Sequence, residues 1–113
     1  MNDPDSLYTT ERRETIAEVP GLRVRLLELS AGQCVPWHRH TLITDTFFCM
    51  QGPLQVATRG PGDTRVHVLR AGETLAVEPG LAHRVTGVDD GPCTFMIVQG
   101  VGEYDYVPLE DDA

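Results

Sequence analysis

The strongest constraint on the fold is punctuation. Short apolar or alternating runs are separated at regular intervals by Pro-Gly and Gly-rich pairs: Pro20-Gly21, Ala31-Gly32, Gly52-Pro53, Gly60-Pro61-Gly62-Asp63, Ala71-Gly72, Pro79-Gly80 and Gly91-Pro92. Glycine and proline in these pairings specify turns. None of the segments between them keeps a 3.6-residue apolar period. Leu22–Ser30, Cys34–His40, Thr44–Gln51, Leu54–Arg59, Thr64–Leu69, Thr74–Val77, Ala82–Thr86 and Cys93–Gln99 read as strands. Many short strands at this spacing predict an all-β sandwich or barrel with almost no helix. Leu54–Arg59 is expected to pair as a hairpin with Thr44–Gln51 across Gly52-Pro53. Apolar residues on both faces of Thr44–Gln51 suggest a strand covered on both sides.

Inside this frame sits one chemically loaded stretch. His38 and His40 are two residues apart, and Asp45 follows. On a strand, residues i and i+2 point to one face with Cβ atoms roughly 6.5–7 Å apart, close enough for two imidazoles to meet at one metal ion. A turn at Thr41–Thr44 would return the chain and bring Asp45 to the same place. Alternation puts Cys34, Pro36, His38 and His40 on one face and Val35, Trp37 and Arg39 on the other.

A chain of 113 residues makes one domain, and 41% hydrophobic with 23% charged residues is ordinary globular composition. The net charge of −8 argues against nucleic acid or an anionic membrane as partner. All nine basic residues are arginine, which excludes Schiff-base chemistry on a lysine. Three cysteines, Cys34, Cys49 and Cys93, have no CxxC spacing and no even count, so the expected compartment is a reducing cytoplasm. No run approaches the ~20 apolar residues of a membrane helix, and the acidic start is unlike a signal peptide.

With His83 added, the pattern resembles the cupin family. The first cupin motif is matched by Gly32, His38, His40, Asp45 in the place of the usual Glu, and Gly52. The second is matched by Gly72, Gly80 and His83; Glu78 stands at the motif proline, Pro79 fills the variable position, and Gly87 replaces the Asn. The likeness spans about residues 20–100. It implies a single-domain jelly-roll β-barrel holding one divalent transition metal (Fe, Mn, Ni, Cu or Zn) on His38, His40, His83 and the carboxylate position. Asp45 is one methylene shorter than Glu and reaches about 1–1.5 Å less far. It is therefore either a ligand after a backbone shift, or an acceptor and candidate general base behind a three-histidine site. The resemblance further implies a small-molecule ligand or substrate and a homodimer. The expected function is a metal-dependent enzyme with dioxygenase-like, isomerase or lyase chemistry; the alternative is a non-catalytic ligand-binding or regulatory module.

Around this centre, Cys34, Phe47, Cys49 and Met96 are expected to line the cavity, and His67 is expected at the surface or in a structural role. Arg39 and Arg84 point away from the metal by alternation, and no cation is expected inside the barrel. Residues 1–19 read as an arm, partly ordered or pairing with a partner subunit, and 20–100 as the barrel. Residues 101–113 form an acidic segment; from Glu103 it carries five acids and no base. It reads as a solvated tail in which Tyr104, Tyr106, Val107 and Leu109 leave room for a docked final strand.

Overall fold

In a computed structural model, residues 7–110 are described. They form ten strands: β1 (Arg12–Val19), β2 (Leu22–Leu29), β3 (Val35–Arg39), β4 (Thr44–Gln51), β5 (Leu54–Gly60), β6 (Asp63–Leu69), β7 (Thr74–Val77), β8 (Ala82–Gly87), β9 (Cys93–Gly100) and β10 (Val107–Pro108). The only helical turn among the described residues is a 3-10 turn at Val88–Asp90. The expectation of an all-β chain with almost no helix is met.

Two antiparallel five-stranded sheets result, β1-β2-β9-β4-β7 and β10-β3-β8-β5-β6. They face each other as a jelly-roll sandwich; the described residues do not close it into a continuous barrel. The core lies between them, centred on Leu27, Leu29, Phe47, Leu54, Val56, Val85, Phe95 and Ile97. Each such side chain, fully buried, contributes about 1.5–3 kcal/mol.

The expected β4–β5 hairpin does not form. β4 pairs with β9 and β7, while β5 pairs with β6 and β8. Gly52-Pro53 is a turn, but it carries the chain from one sheet to the other. The core-facing residues of both strands explain this: Phe47 and Cys49 on one and Leu54 and Val56 on the other must meet face to face, not edge to edge. The Gly60–Asp63 turn does make the β5–β6 hairpin.

Two further expectations fail on strand parity. β3 carries a bulge between Val35 and His38, whose partners on β8 are Val85 and His83. One extra residue switches parity, so Val35 packs in the core on the same side as His38. On β4, Phe48 and Met50 are on the outer face and are 37% and 49% exposed, so this chain alone covers only one side of the strand.

Gly87, where the second motif has Asn, is explained by crowding. A Cβ there would lie 1.9 Å from the Gly91 carbonyl oxygen, where the 3-10 turn folds back on β8. Gly87→Ala should destabilise the fold by roughly 1–3 kcal/mol in chemical denaturation, because the obstructing atoms are backbone. Gly60→Ala, with open space around it, should change stability by less than about 0.5 kcal/mol.

Candidate metal centre

The two sheets each supply part of one buried cluster. His38 on β3 and His83 on β8 are register partners in one sheet, and His40 follows β3. Asp45 stands at the start of β4 in the opposite sheet. One potential ligand atom from each of the four lies within 4.8 Å of the others, and none of the four side chains is more than 3% exposed. The Pro79-Gly80 turn is tied to this end of the sandwich by the Gly80 amide, which donates to the His40 carbonyl at 2.7 Å. Gly80 has φ +83°, a conformation open to glycine at little cost.

The hydrogen bonds fix the tautomers. His38 Nδ1 meets the Pro36 carbonyl at 2.8 Å, His83 Nδ1 the Leu81 carbonyl at 2.9 Å, and His40 Nδ1 the Asp105 carbonyl at 2.5 Å. A carbonyl only accepts, so each Nδ1 carries the proton and donates. That leaves the Nε2 atoms to face the centre, the orientation that metal-binding histidines adopt. His40 Nε2 and His83 Nε2 both lie 2.9 Å from Asp45 Oδ2. Two neutral Nε2 lone pairs against a carboxylate oxygen would repel. Only a proton or a metal cation between them makes the arrangement favourable, so the donor set fits a divalent ion. The short Asp45 side chain reaches the imidazole tips without difficulty.

Electrostatics agree with a site built for a cation. Burial, reinforced by the neighbouring His83 and His40, lowers the His38 pKa to about 3. Burial also works against charge on His40, but the hydrogen bond and charge of Asp45 override it and raise its pKa. Asp45 is desolvated, yet the bonds from His40 and His83 outweigh this and hold its carboxyl far below the usual carboxylate range.

Two groups that the sequence reading did not assign to the site, Gln99 and Arg23, extend the cluster. Gln99 Nε2 donates to Asp45 Oδ1 at 3.0 Å, and Arg23 Nε donates to Gln99 Oε1 at 2.9 Å. The expectation that the interior lacks cations is therefore overturned. β2 registers Arg23 with Gln99 and Arg25 with Ile97, so both arginines lie on the core-facing side with Leu27 and Leu29. The signal was present: Gln99 shares parity with Phe95 and Ile97, and a polar residue in step with core positions marks a site. The C-terminal segment is docked as far as it is described. β10 pairs with β3, Tyr106 stacks on His38 with ring centroids 4.5 Å apart, and Tyr104 lies 5.3 Å from His40. The Tyr106 hydroxyl is buried without a hydrogen-bond partner among the described residues.

Of the expected cavity residues, Phe47 packs edge-on to His83 at 6.0 Å, and Cys49 is buried on the same face of β4. Cys34 is half-buried immediately before β3. Met96 is a correction. It pairs with Phe48 and Leu26 on the outer face, because Phe95 and Ile97 on either side of it point into the core. His67 pairs with the core residue Val56, so it faces the interior and meets Thr58 Oγ1 at 3.2 Å. It stands outside the four-residue cluster. Trp37 is covered by the Arg59 guanidinium, 4.3 Å above its ring.

A family model for the cupin domain matches residues 25–99. No curated protein matches the chain. Among solved structures, a cupin-2 domain-containing protein from Shewanella frigidimarina is 26% identical, with TM-score 0.66, covering 84% of this chain and 86% of that one. A conserved protein with a double-stranded beta-helix domain from Klebsiella pneumoniae is 22% identical, with TM-score 0.73 and coverage of 98% and 97%. An oxalate oxidase is 24% identical, with TM-score 0.70, over 79% of this chain and 46% of its own, so this chain spans about half the length of that enzyme. The latter two likenesses concern fold.

In the metal-free protein, the contribution of His38 and His40 to stability should be greatest near pH 6.5. Below that pH the unfolded chain protonates His38 while the folded chain does not until about pH 3. Stability from this group therefore falls on acidification, by up to about 1.4 kcal/mol per pH unit. Above pH 6.5 the raised His40 pKa reverses the sign, because folded His40 keeps its proton longer than the unfolded chain does. Urea denaturation of chelator-treated protein across pH 4–8 reads both limbs, and His38→Gln should flatten the acid one.

Proposed function

The chain belongs to the cupin domain family, and from that premise we propose that it is a metal-dependent enzyme acting on a small organic molecule bound between its two sheets. The observation that carries this reading is the locked tautomer set: three Nδ1–H groups spent on backbone carbonyls, with three Nε2 atoms and one carboxylate converging in a buried space. His38, His40 and His83 would hold one divalent Fe, Mn, Ni, Cu or Zn ion, with Asp45 Oδ2 as the fourth ligand. Such an ion supplies Lewis-acid or one-electron chemistry, which suits dioxygenase-like, isomerase or lyase reactions.

The chain's own residues do the rest. Gln99 holds Asp45 Oδ1, leaving Oδ2 directed at the imidazoles. Tyr106 and Phe47 wall the cluster from water on two sides. Burial raises the Tyr104 pKa to about 12, so its phenol keeps its proton and can donate a hydrogen bond at neutral pH.

We also propose a cytoplasmic homodimer formed through the outer face of the β1-β2-β9-β4-β7 sheet. Phe48 and Met50 are exposed there, and Val24, Met96 and Val98 share the face. A contiguous apolar face of this kind favours association. β1 pairs with β2 of its own chain and is exposed along most of its length, which leaves Arg12–Val19 accessible to a partner. The three free cysteines suit a reducing compartment.

Elemental analysis of protein purified with Fe, Mn, Ni, Cu and Zn in the medium should find about one metal per chain, and His38→Ala should reduce it to below a tenth. Saturating metal at 100 times Kd should add about 2.7 kcal/mol of stability. An oxygen electrode with a panel of small organic acids, alcohols and thiols, and NMR for isomerised or cleaved products, then tests turnover. Metal-free wild-type protein, or metal-loaded protein inert in both assays, would overturn the enzyme reading.

Phe48→Asp should convert a dimer to a monomer in size-exclusion chromatography with light scattering, without changing metal content. A wild-type protein that elutes as a monomer would rule the dimer out.

A further inference from the structure

Beside the histidine–aspartate cluster, the β1–β2 turn and residues 101–104 line an open cavity of about 680 Å³. Its polar lining includes Arg23, Gln99 and Tyr104, and Val19, Leu22 and Val101 supply apolar wall. We propose that this cavity binds a small monocarboxylate, with the carboxylate on the Arg23 guanidinium. The inference rests on the metal-enzyme reading in one respect, that the same molecule is presented to the cluster.

Arg23 is held on two sides. Its Nε–H donates to Gln99 Oε1 at 2.9 Å, and its guanidinium carbon lies 3.8 Å from the Tyr104 ring centroid, where cation–π attraction fixes the plane. A guanidinium has five N–H donors in a rigid fork suited to bidentate carboxylate binding. In a protein with 17 acidic side chains and 9 arginines, Arg23 makes no ion pair among the described residues. A half-buried cation kept oriented but without a carboxylate is a pre-arranged anion site.

The number of charges on the ligand follows from the rim. Glu18 and Glu103 also line the cavity, and both are exposed. The single inward guanidinium can pair with one carboxylate, and the two rim carboxylates, of which Glu18 is the register partner of Arg23 on β1, repel any further negative charge on the ligand. Val19, Leu22 and Val101 give the remainder of the ligand an apolar surface. The position relative to the cluster is set by bonds: the chain Arg23–Gln99–Asp45 is two hydrogen bonds long. A carboxylate on Arg23 therefore sits beside the residue that holds the Asp45 carboxylate.

Butanoate, its neutral isostere butanamide and the dianion succinate are the probes, titrated into metal-loaded and chelator-treated protein and followed by NMR on the Arg23 Nε–H and Gln99 side-chain amide. Butanoate should shift both signals and bind at least tenfold more tightly than either of the others. Arg23→Gln should weaken butanoate at least tenfold. Because that change also removes the support of Gln99, Val101→Trp provides a second test: Val101 is 84% exposed, and a Trp there should obstruct the cavity and block butanoate while Arg23 stays. Equal affinity for butanoate and butanamide, or unchanged butanoate binding in Arg23→Gln, would overturn the proposal. Metal content is measured on the same samples. Metal retained with no butanoate preference defeats this inference alone, and butanoate bound by a protein that takes no metal defeats the metal-enzyme reading alone.

Discussion

The structure depends on one electrostatic arrangement, an ionised Asp45 buried between two sheets and met by imidazoles from the opposite one. A buried carboxylate without partners carries a desolvation cost of several kcal/mol. Asp45 is 1% exposed, and the groups that offset this cost come from both layers: His40 and His83 from across the sandwich, and Gln99 from the neighbouring strand. The contact therefore joins the sheets by directional bonds, while the apolar core, with Leu29 and Phe95 from one sheet and Leu54, Val56 and Val85 from the other, joins them without direction. It also makes the cluster self-consistent only when a cation or a proton sits among the Nε2 atoms, since every Nδ1 is already spent on a carbonyl.

Much of this was legible in the sequence because the signals are local. Turn residues mark strand ends, so the strand list and the absence of long helices follow from Pro-Gly and Gly-rich pairs. The His38-x-His40 pair and His83 could be read together because a strand fixes where i and i+2 point, and because the spacing of Gly32, Gly52, Gly72 and Gly80 matches a known motif pair. What was not legible depends on which strands become neighbours. The β4–β5 hairpin was a reasonable inference from a two-residue turn, but sheet membership is decided by which faces must be buried together. The β3 bulge reverses parity within five residues and leaves no trace in the hydrophobic pattern.

The most instructive misreading is on β2. Leu22-Arg23-Val24-Arg25-Leu26 alternates cleanly, and the ordinary rule sends the apolar set inward. The register does the opposite, turning Arg23 and Arg25 to the interior and Leu22, Val24 and Leu26 outward, before Leu27 and Leu29 resume the core. Alternation fixes which residues share a face; it does not say which face is solvent. The inverted assignment has two linked consequences. The interior acquires arginines next to the polar end of β9, and the outer sheet face becomes apolar across β2, β9 and β4. A single pattern thus accounts for both an unusual cavity and an unusual surface.

The acidic C-terminal segment and the short carboxylate at position 45 belong to the same solution. Charge alone made residues 103–110 look like solvated chain, yet the Asp105 carbonyl fixes the His40 tautomer, Tyr106 covers His38 and Tyr104 holds the plane of Arg23. Asp45 is one methylene shorter than the usual Glu and has a shorter reach, and its carboxylate is bonded on both oxygens by its neighbours. Gln99 is one of them, and Arg23 in turn fixes which end of the Gln99 amide faces the carboxylate, since Nε–H can bond only to the oxygen. The departure from the motif at position 45 is therefore matched by residues on β2, β9 and the terminal segment, and the set has to be read as a unit.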